Sequence, residues 1–184
     1  MKTYLFAAVA ALSLTPAFAH AEAFNGAYGG VELGWEDNNK GLGDGFTYGL
    51  IAGYNYKLNE RLVLGVEAKA ALSTADTTLI DTREEEAELK AGRSLGVAAR
   101  LGVLAAPSTM FYGKVGYENI RTKYDYESRR VDIERSTNND ALVLGGGVEY
   151  AFNPNITFRV AYDYANGEAG YERHQVKTGV AYHF

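Results

Sequence analysis

No cysteine occurs among the 184 residues, which excludes disulfide staples, thiolate metal centres and thiol nucleophiles. Proline is nearly missing too. Of three, Pro16 lies in the N-terminal apolar stretch, so only Pro107 and Pro154 serve the rest of the chain. Such scarcity suits continuous strands, where each proline removes a ladder hydrogen bond. Beyond residue 21 no apolar run approaches the roughly 20 residues that a spanning helix needs. A membrane crossing by this chain therefore has to be made by a closed barrel. Basic groups are also short, 18 against 23 acidic, so nucleic acid is excluded as a partner.

What is present begins with a leader. Met1-Lys2-Thr3 gives a positive start, Tyr4 to Leu14 an apolar run, and Ala17-Phe18-Ala19 and Ala19-His20-Ala21 two small-x-small cleavage sites. Residues 1–21 read as a signal peptide, with cleavage after Ala21 preferred to cleavage after Ala19. Residues 22–184 are one domain by length. Removing the leader takes away one lysine and leaves 163 residues with 17 basic and 23 acidic groups.

Eight segments alternate with period two, the strand signature. One set of faces is aliphatic and aromatic: Val31, Leu33 and Trp35; Phe46, Tyr48, Leu50, Ala52 and Tyr54; Leu62 to Ala70; Leu95 to Val103; Phe111 to Tyr117; Leu142 to Tyr150; Ile156 to Tyr164; and Val176 to Phe184. The other set is small, polar or charged. A soluble barrel would keep its charges outside. Here the uncharged faces are wide enough to meet lipid, which predicts an all-β, eight-stranded, antiparallel up-and-down transmembrane barrel with a polar interior. Aromatics near the strand ends predict two interface girdles: Trp35, Phe46, Tyr48, Tyr117 and Tyr164 at one rim, Tyr54, Phe111, Tyr150, Tyr182 and Phe184 at the other.

Connection lengths set the orientation. Residues 37–44, 73–92, 121–140 and 165–173 read as long loops. Lys57–Glu60, Ala105–Thr109 and Phe152–Asn155 read as tight turns, and both remaining prolines fall in turns. Long loops on one side are expected to be extracellular, with both termini periplasmic. Through Tyr124, Tyr126, Val131 and Ile133 the alternation continues, so the fifth and sixth strands are expected to extend above the membrane as a hairpin.

On these features the chain resembles the small eight-stranded outer-membrane β-barrel family, which includes the membrane domain of outer membrane protein A, the opacity proteins and porin-family surface proteins. The resemblance covers residues 24–184 and leaves no room for a C-terminal peptidoglycan-binding domain. It implies the outer membrane of a Gram-negative bacterium, contact with outer-membrane lipids and lipopolysaccharide, and a cell-surface role in envelope integrity or adhesion. It also implies that Val180, Tyr182 and Phe184 form the terminal signal read by the outer-membrane barrel assembly machinery.

Ten charges fall on the inward faces: Glu32, Glu67, Glu118, Glu149 and Asp163 against Lys69, Arg100, Lys114, Arg159 and Lys177. An eight-stranded barrel is only just wide enough for its own side chains, so these are expected to pair and plug the lumen. Strand direction groups Lys114, Glu149 and Arg159 in the lower half and Glu32, Asp163 and Lys177 in the upper half. Each group would leave one charge uncompensated, with Arg100 and Glu67 between them. A small-solute channel past these charges is the alternative. A lipid-modifying enzyme is disfavoured, because His174 at the outer rim lacks a flanking serine and His183 lies at the opposite end. Two histidines so placed make no metal site. Gly41-Leu42-Gly43-Asp44-Gly45 and Gly145-Gly146-Gly147 lack the strand-to-helix context of a nucleotide cradle, and no cofactor is implied. The long loops, acidic in 73–92 and mixed in 121–140, are where an extracellular ligand would be met.

Overall fold

The computed structural model describes residues 21–38, 43–74, 76–82, 85–128, 131–167 and 171–184; the leader, apart from Ala21, lies outside them. A 3-10 turn at Ala21–Phe24 leads into nine strands. These are β1 (Gly26–Asn38), β2 (Gly43–Lys57), β3 (Leu62–Ser73), β4 (Asp76–Thr82), β5 (Glu85–Ala106), β6 (Thr109–Ser128), β7 (Val131–Ala151), β8 (Ile156–Gly167) and β9 (Glu172–His183). The order β3-β2-β1-β9-β8-β7-β6-β5 closes on itself because β3 pairs with β5, and all pairs are antiparallel. Eight strands form the barrel. The short β4 pairs with the first residues of β5, outside the closed ring.

The burial pattern inverts that of a water-soluble protein. Leu33, Leu50, Val66, Val97 and Leu144 are exposed, while Glu32, Glu67, Arg100, Glu149 and Arg159 are buried. Only a hydrocarbon surround makes that arrangement favourable, since in water it would expose apolar area on every strand. The rim aromatics point outward, and several meet edge to face. Trp35 and Phe46 lie 4.6 Å apart at the upper rim, and Tyr182 and Phe184 lie 5.2 Å apart at the lower.

Two of the tight turns share one device. The Asn59 side chain accepts hydrogen bonds from the amides of Arg61 and Leu62, both at 2.9 Å. The Asn153 side chain accepts from Asn155 at 2.9 Å and Ile156 at 2.8 Å. Asparagine satisfies the turn amides that the ladder leaves unpaired.

The strands are longer than the hydropathy pattern predicts. The segment 73–92, expected as a loop, holds β4 and the start of β5, whose ladder with β6 reaches Glu85↔Ser128. The expected hairpin is present, with β6 and β7 paired up to Ser128↔Val131. A tilted strand needs about 9–11 residues to cross the hydrocarbon, so the 20 residues of β6 stand well clear of it. Beyond the bilayer no lipid enforces alternation, and backbone pairing alone carries the strands on.

Trypsin applied to intact cells is therefore expected to cut between Thr82 and Glu85 and between Ser128 and Val131, and to spare Lys57 and Arg61 in the first short turn. Mass spectrometry of the released peptides checks this; cleavage at Lys57 or Arg61 would reverse the orientation.

Candidate functional site

The lumen is the part of the molecule where charged chemistry is concentrated. All ten inward charges named from the sequence face it, and the structure adds Glu36 and Arg173, with Gln175 beside them. These two charges were missed because the first and last strands were taken to end at Trp35 and Gln175. Continuing the same parity one further step, from Gly34 to Glu36 and from Gln175 to Arg173, would have found them.

The charges stack in three layers, each with two cations and two anions. In the lower layer Arg100 bonds Glu149 at 2.8 Å and Glu67 at 3.1 Å, while Arg159 bonds Glu67 at 2.6 Å and approaches Glu149 at 3.3 Å. The Tyr28 hydroxyl donates to Glu67 at 2.8 Å and accepts from Arg100 at 2.6 Å. The Arg100 guanidinium also lies 4.1 Å from the Tyr112 ring centre, a cation–π contact. Thr157 donates to Glu149 at 2.7 Å, and His183 lies 3.4 Å from the same carboxylate.

In the middle layer Lys177 meets Asp163 at 2.7 Å and Glu32 at 2.9 Å, and Lys114 meets Asp163 at 3.1 Å. In the upper layer Arg173 bonds Glu118 at 2.7 Å, Lys69 bonds Glu118 at 2.9 Å, and Gln175 donates to Glu36 at 2.8 Å. Arg173 lies 3.8 Å from Glu36, which also accepts from Ser73. Longer contacts, Lys114 to Glu67 at 3.5 Å and Arg159 to Glu32 at 3.6 Å, tie the lower layer to the middle one.

This corrects the expected grouping. Lys114 does not join Glu149; it sits opposite Gly145 in the ladder and reaches up to Asp163, and Arg100 takes the place beside Glu149. The stranded charge expected in each half is absent, because that exchange balances every layer. A cation without its counter-ion would cost several kcal/mol in such surroundings. Gly145 makes the rearrangement possible, since a Cβ there would lie 2.2 Å from an Asp163 carboxylate oxygen.

Apolar groups close both ends. Below the charges, Phe24 is fully buried among Val63, Leu104, Met110 and Tyr112, so the segment entering β1 stoppers the mouth on the side of the short turns. Above them, Tyr171 packs with Ile120, Ala141, Val143 and Ala165 and donates to Asn38 at 2.8 Å. Burial pushes the Tyr171 hydroxyl up to about 12, so it remains a neutral donor. Between the layers a cavity of ≈ 20 Å³, lined by Glu67, Lys69, Lys114, Glu118 and Asp163, is room for roughly one water molecule.

The histidines are far apart. His174 lies on the outward face, 2.5 Å from the Tyr162 hydroxyl, and Tyr164 donates to Glu172 at 3.1 Å. His183 is buried against Tyr28, their rings stacked at 5.2 Å. The terminal face Val180, Tyr182 and Phe184 points to lipid, with Phe184 81% exposed.

Residues 4–184 match the family model described as outer membrane protein beta-barrel domain. The 31 kDa outer-membrane immunogenic proteins of Brucella melitensis biotype 1 and Brucella suis biovar 1 are each 30% identical over 144 residues. Those alignments cover 71% of this chain and 60% of the relatives' own length. Among solved structures, the attachment invasion locus protein Ail of Yersinia pestis superimposes with a TM-score of 0.60 at 15% identity, covering 87% of this chain and 99% of that one. Neisserial surface protein A gives a TM-score of 0.60 at 18% identity, covering 87% and 98%. At such identities the structural likeness shows the fold alone.

Proposed function

Because this chain belongs to the outer membrane protein β-barrel domain family, we propose that it is a surface-exposed protein with a structural or interaction role, built on a barrel whose lumen is closed. It resides in the outer membrane of a Gram-negative bacterium, and the asymmetry of its connections supports long loops outside and Phe184 on the periplasmic side. The observation that carries the reading is the contrast between inside and outside. The lumen is filled by balanced ion pairs, while chain length beyond the bilayer goes into the paired β5, β6 and β7 projecting above it.

A projecting sheet is a contact surface, and charge-rich strands keep it soluble. The attachment named for Ail and the immunogenicity named for the Brucella proteins are consistent with such exposure, and both belong to those proteins. A small-solute channel would need a water path through three charge layers and two apolar closures. Lipid-modifying catalysis would need an accessible nucleophile beside His174, whose described neighbours are Tyr162, Tyr164 and its β1 ladder partner Asp37.

Replacing residues 122–138 by a short turn tests the interaction role. The shortened barrel is expected to reach the surface and keep its heat-dependent gel shift. Cells carrying it should lose most of the adherence to epithelial layers that wild-type expression confers. Undiminished adherence would remove the projecting hairpin from the function.

A further inference from the structure

No lipid demands alternation above the bilayer, yet the projecting sheet is two-faced. On β6 the buried Glu118 and Ile120 mark the even positions as inner ones. Followed along the ladders, that parity puts Ile80, Leu89, Tyr124, Tyr126, Val131 and Ile133 on the inner face. The outer face holds two rows of acids, Glu86–Glu127–Asp132 and Glu88–Asp125–Glu134, each directly opposite the next. Like charges so placed are unfavourable unless water surrounds them.

A bulge in β5 produces this division. Below it the even positions Ser94 and Arg100 are buried; above it odd positions pair with the inner positions of β6, as in Ala91↔Thr122 and Leu89↔Tyr124. Without the extra residue, Glu86, Glu88 and Lys90 would fall on the inner face, because a one-residue slip exchanges the two faces of a strand. Glycine makes the bulge possible, since a Cβ at Gly92 would lie 2.6 Å from the Arg121 carbonyl oxygen.

The inner face looks across an open space. β8 stops at Gly167, opposite Ala141, and β1 stops at Asn38, so the described strands of that wall end far below the tip of β7. An apolar sheet face wants a second sheet about 10 Å away. A neighbour in the same membrane cannot supply one, because its barrel would have to occupy the volume of the first. A copy anchored in a facing membrane can, with its sheet descending into the space above the short wall. It brings a sheet of equal width and length, and the acidic outer faces of both copies stay in water.

We propose that the inner face of the projecting sheet packs against the same face of a second copy held in an opposed outer membrane, as two halves of an aligned β-sandwich. The contact is isologous and closes at two copies. Four strands of about seven residues each offer roughly 400 Å² per partner. That is about half of a standard interface, so single contacts are brief and many copies act together to join two cells. The site rests on the extracellular placement of the hairpin proposed above.

Cells expressing the full-length protein, in two populations with different epitope tags, test it. The chain has no native cysteine, so Tyr124→Cys puts a single thiol on the inner face and Asp125→Cys a single thiol on the outer. Treated with a bifunctional maleimide, the mixed Tyr124→Cys populations are expected to yield dimers carrying both tags, and the Asp125→Cys populations none. Wild-type cells should clump with one another and exclude cells lacking the protein. Tyr126→Glu/Ile133→Glu should abolish clumping, whereas Glu127→Ser/Glu134→Ser should preserve it; the heat-dependent gel shift verifies that each variant is folded. Absence of two-tag dimers, or clumping that survives the inner-face variant, would overturn the proposal. Recruitment of cells lacking the protein would also overturn it, by giving the face to a different partner. No epithelial surface takes part, so failure here is distinct from undiminished adherence of the shortened barrel.

Discussion

Glu149→Ala is expected to destabilise the refolded barrel by about 3–5 kcal/mol, the cost of breaking a buried ion pair from one side. Glu149 is fully buried and receives Arg100, Arg159 and Thr157, with His183 close by. Its removal leaves two guanidinium groups sharing Glu67 alone in the lower layer. Urea unfolding in detergent or lipid vesicles measures the loss. The double variant Glu149→Ala/Arg159→Ala should cost less than the sum of the two single changes, because it restores the layer's balance. Strict additivity, or a Glu149→Ala barrel as stable as wild type, would mean that the layers do not act as units.

Phe184 and His183 are adjacent, yet their substitutions should fail in opposite ways. Phe184 is 81% exposed toward lipid and His183 is 2% exposed inside the barrel. On the proposal that the terminal aromatic is read during assembly, Phe184→Ala should sharply reduce outer-membrane levels in cells while refolding normally from urea. His183→Ala should assemble but lose stability, because it removes the ring stacked on Tyr28 and a neighbour of Glu149. Comparing membrane levels by immunoblot with unfolding midpoints of the purified variants separates the two. Equal membrane levels for both variants would deny the terminal phenylalanine its role in assembly.

Within the bilayer the sequence was readable because lipid on one side and a crowded lumen on the other force strict alternation. That placed Val31, Leu50, Val97 and Val176 outside and Glu32, Arg100, Arg159 and Lys177 inside. Beyond the girdle the same rule loses its physical basis. Nothing in Asp76–Thr82 has to face hydrocarbon, so β4 has no hydropathy signature. Register was the other hidden quantity. Face and strand direction do not fix the level of Lys114; in the ladder it lies opposite Gly145, the partner of Asp163, four residues along β7 from Glu149. What decided its partner was the space left by Gly145, a property of the glycine's missing side chain rather than of the charges. Phe24 was invisible for a related reason: a lone aromatic before the first strand carries no period, and its burial follows from where the chain enters the cylinder.

The central claim is that this barrel is closed, with Phe24 below, three neutral charge layers across the lumen and Tyr171 above. Single-channel recording of the purified, refolded wild-type protein in planar bilayers tests it most directly. No stable conductance of porin size is expected in wild type, whereas the paired deletion Lys114→Ala/Asp163→Ala should admit a small ionic leak by enlarging the cavity between layers. A steady open channel in the wild-type protein would contradict the closed lumen and establish the small-solute channel in its place.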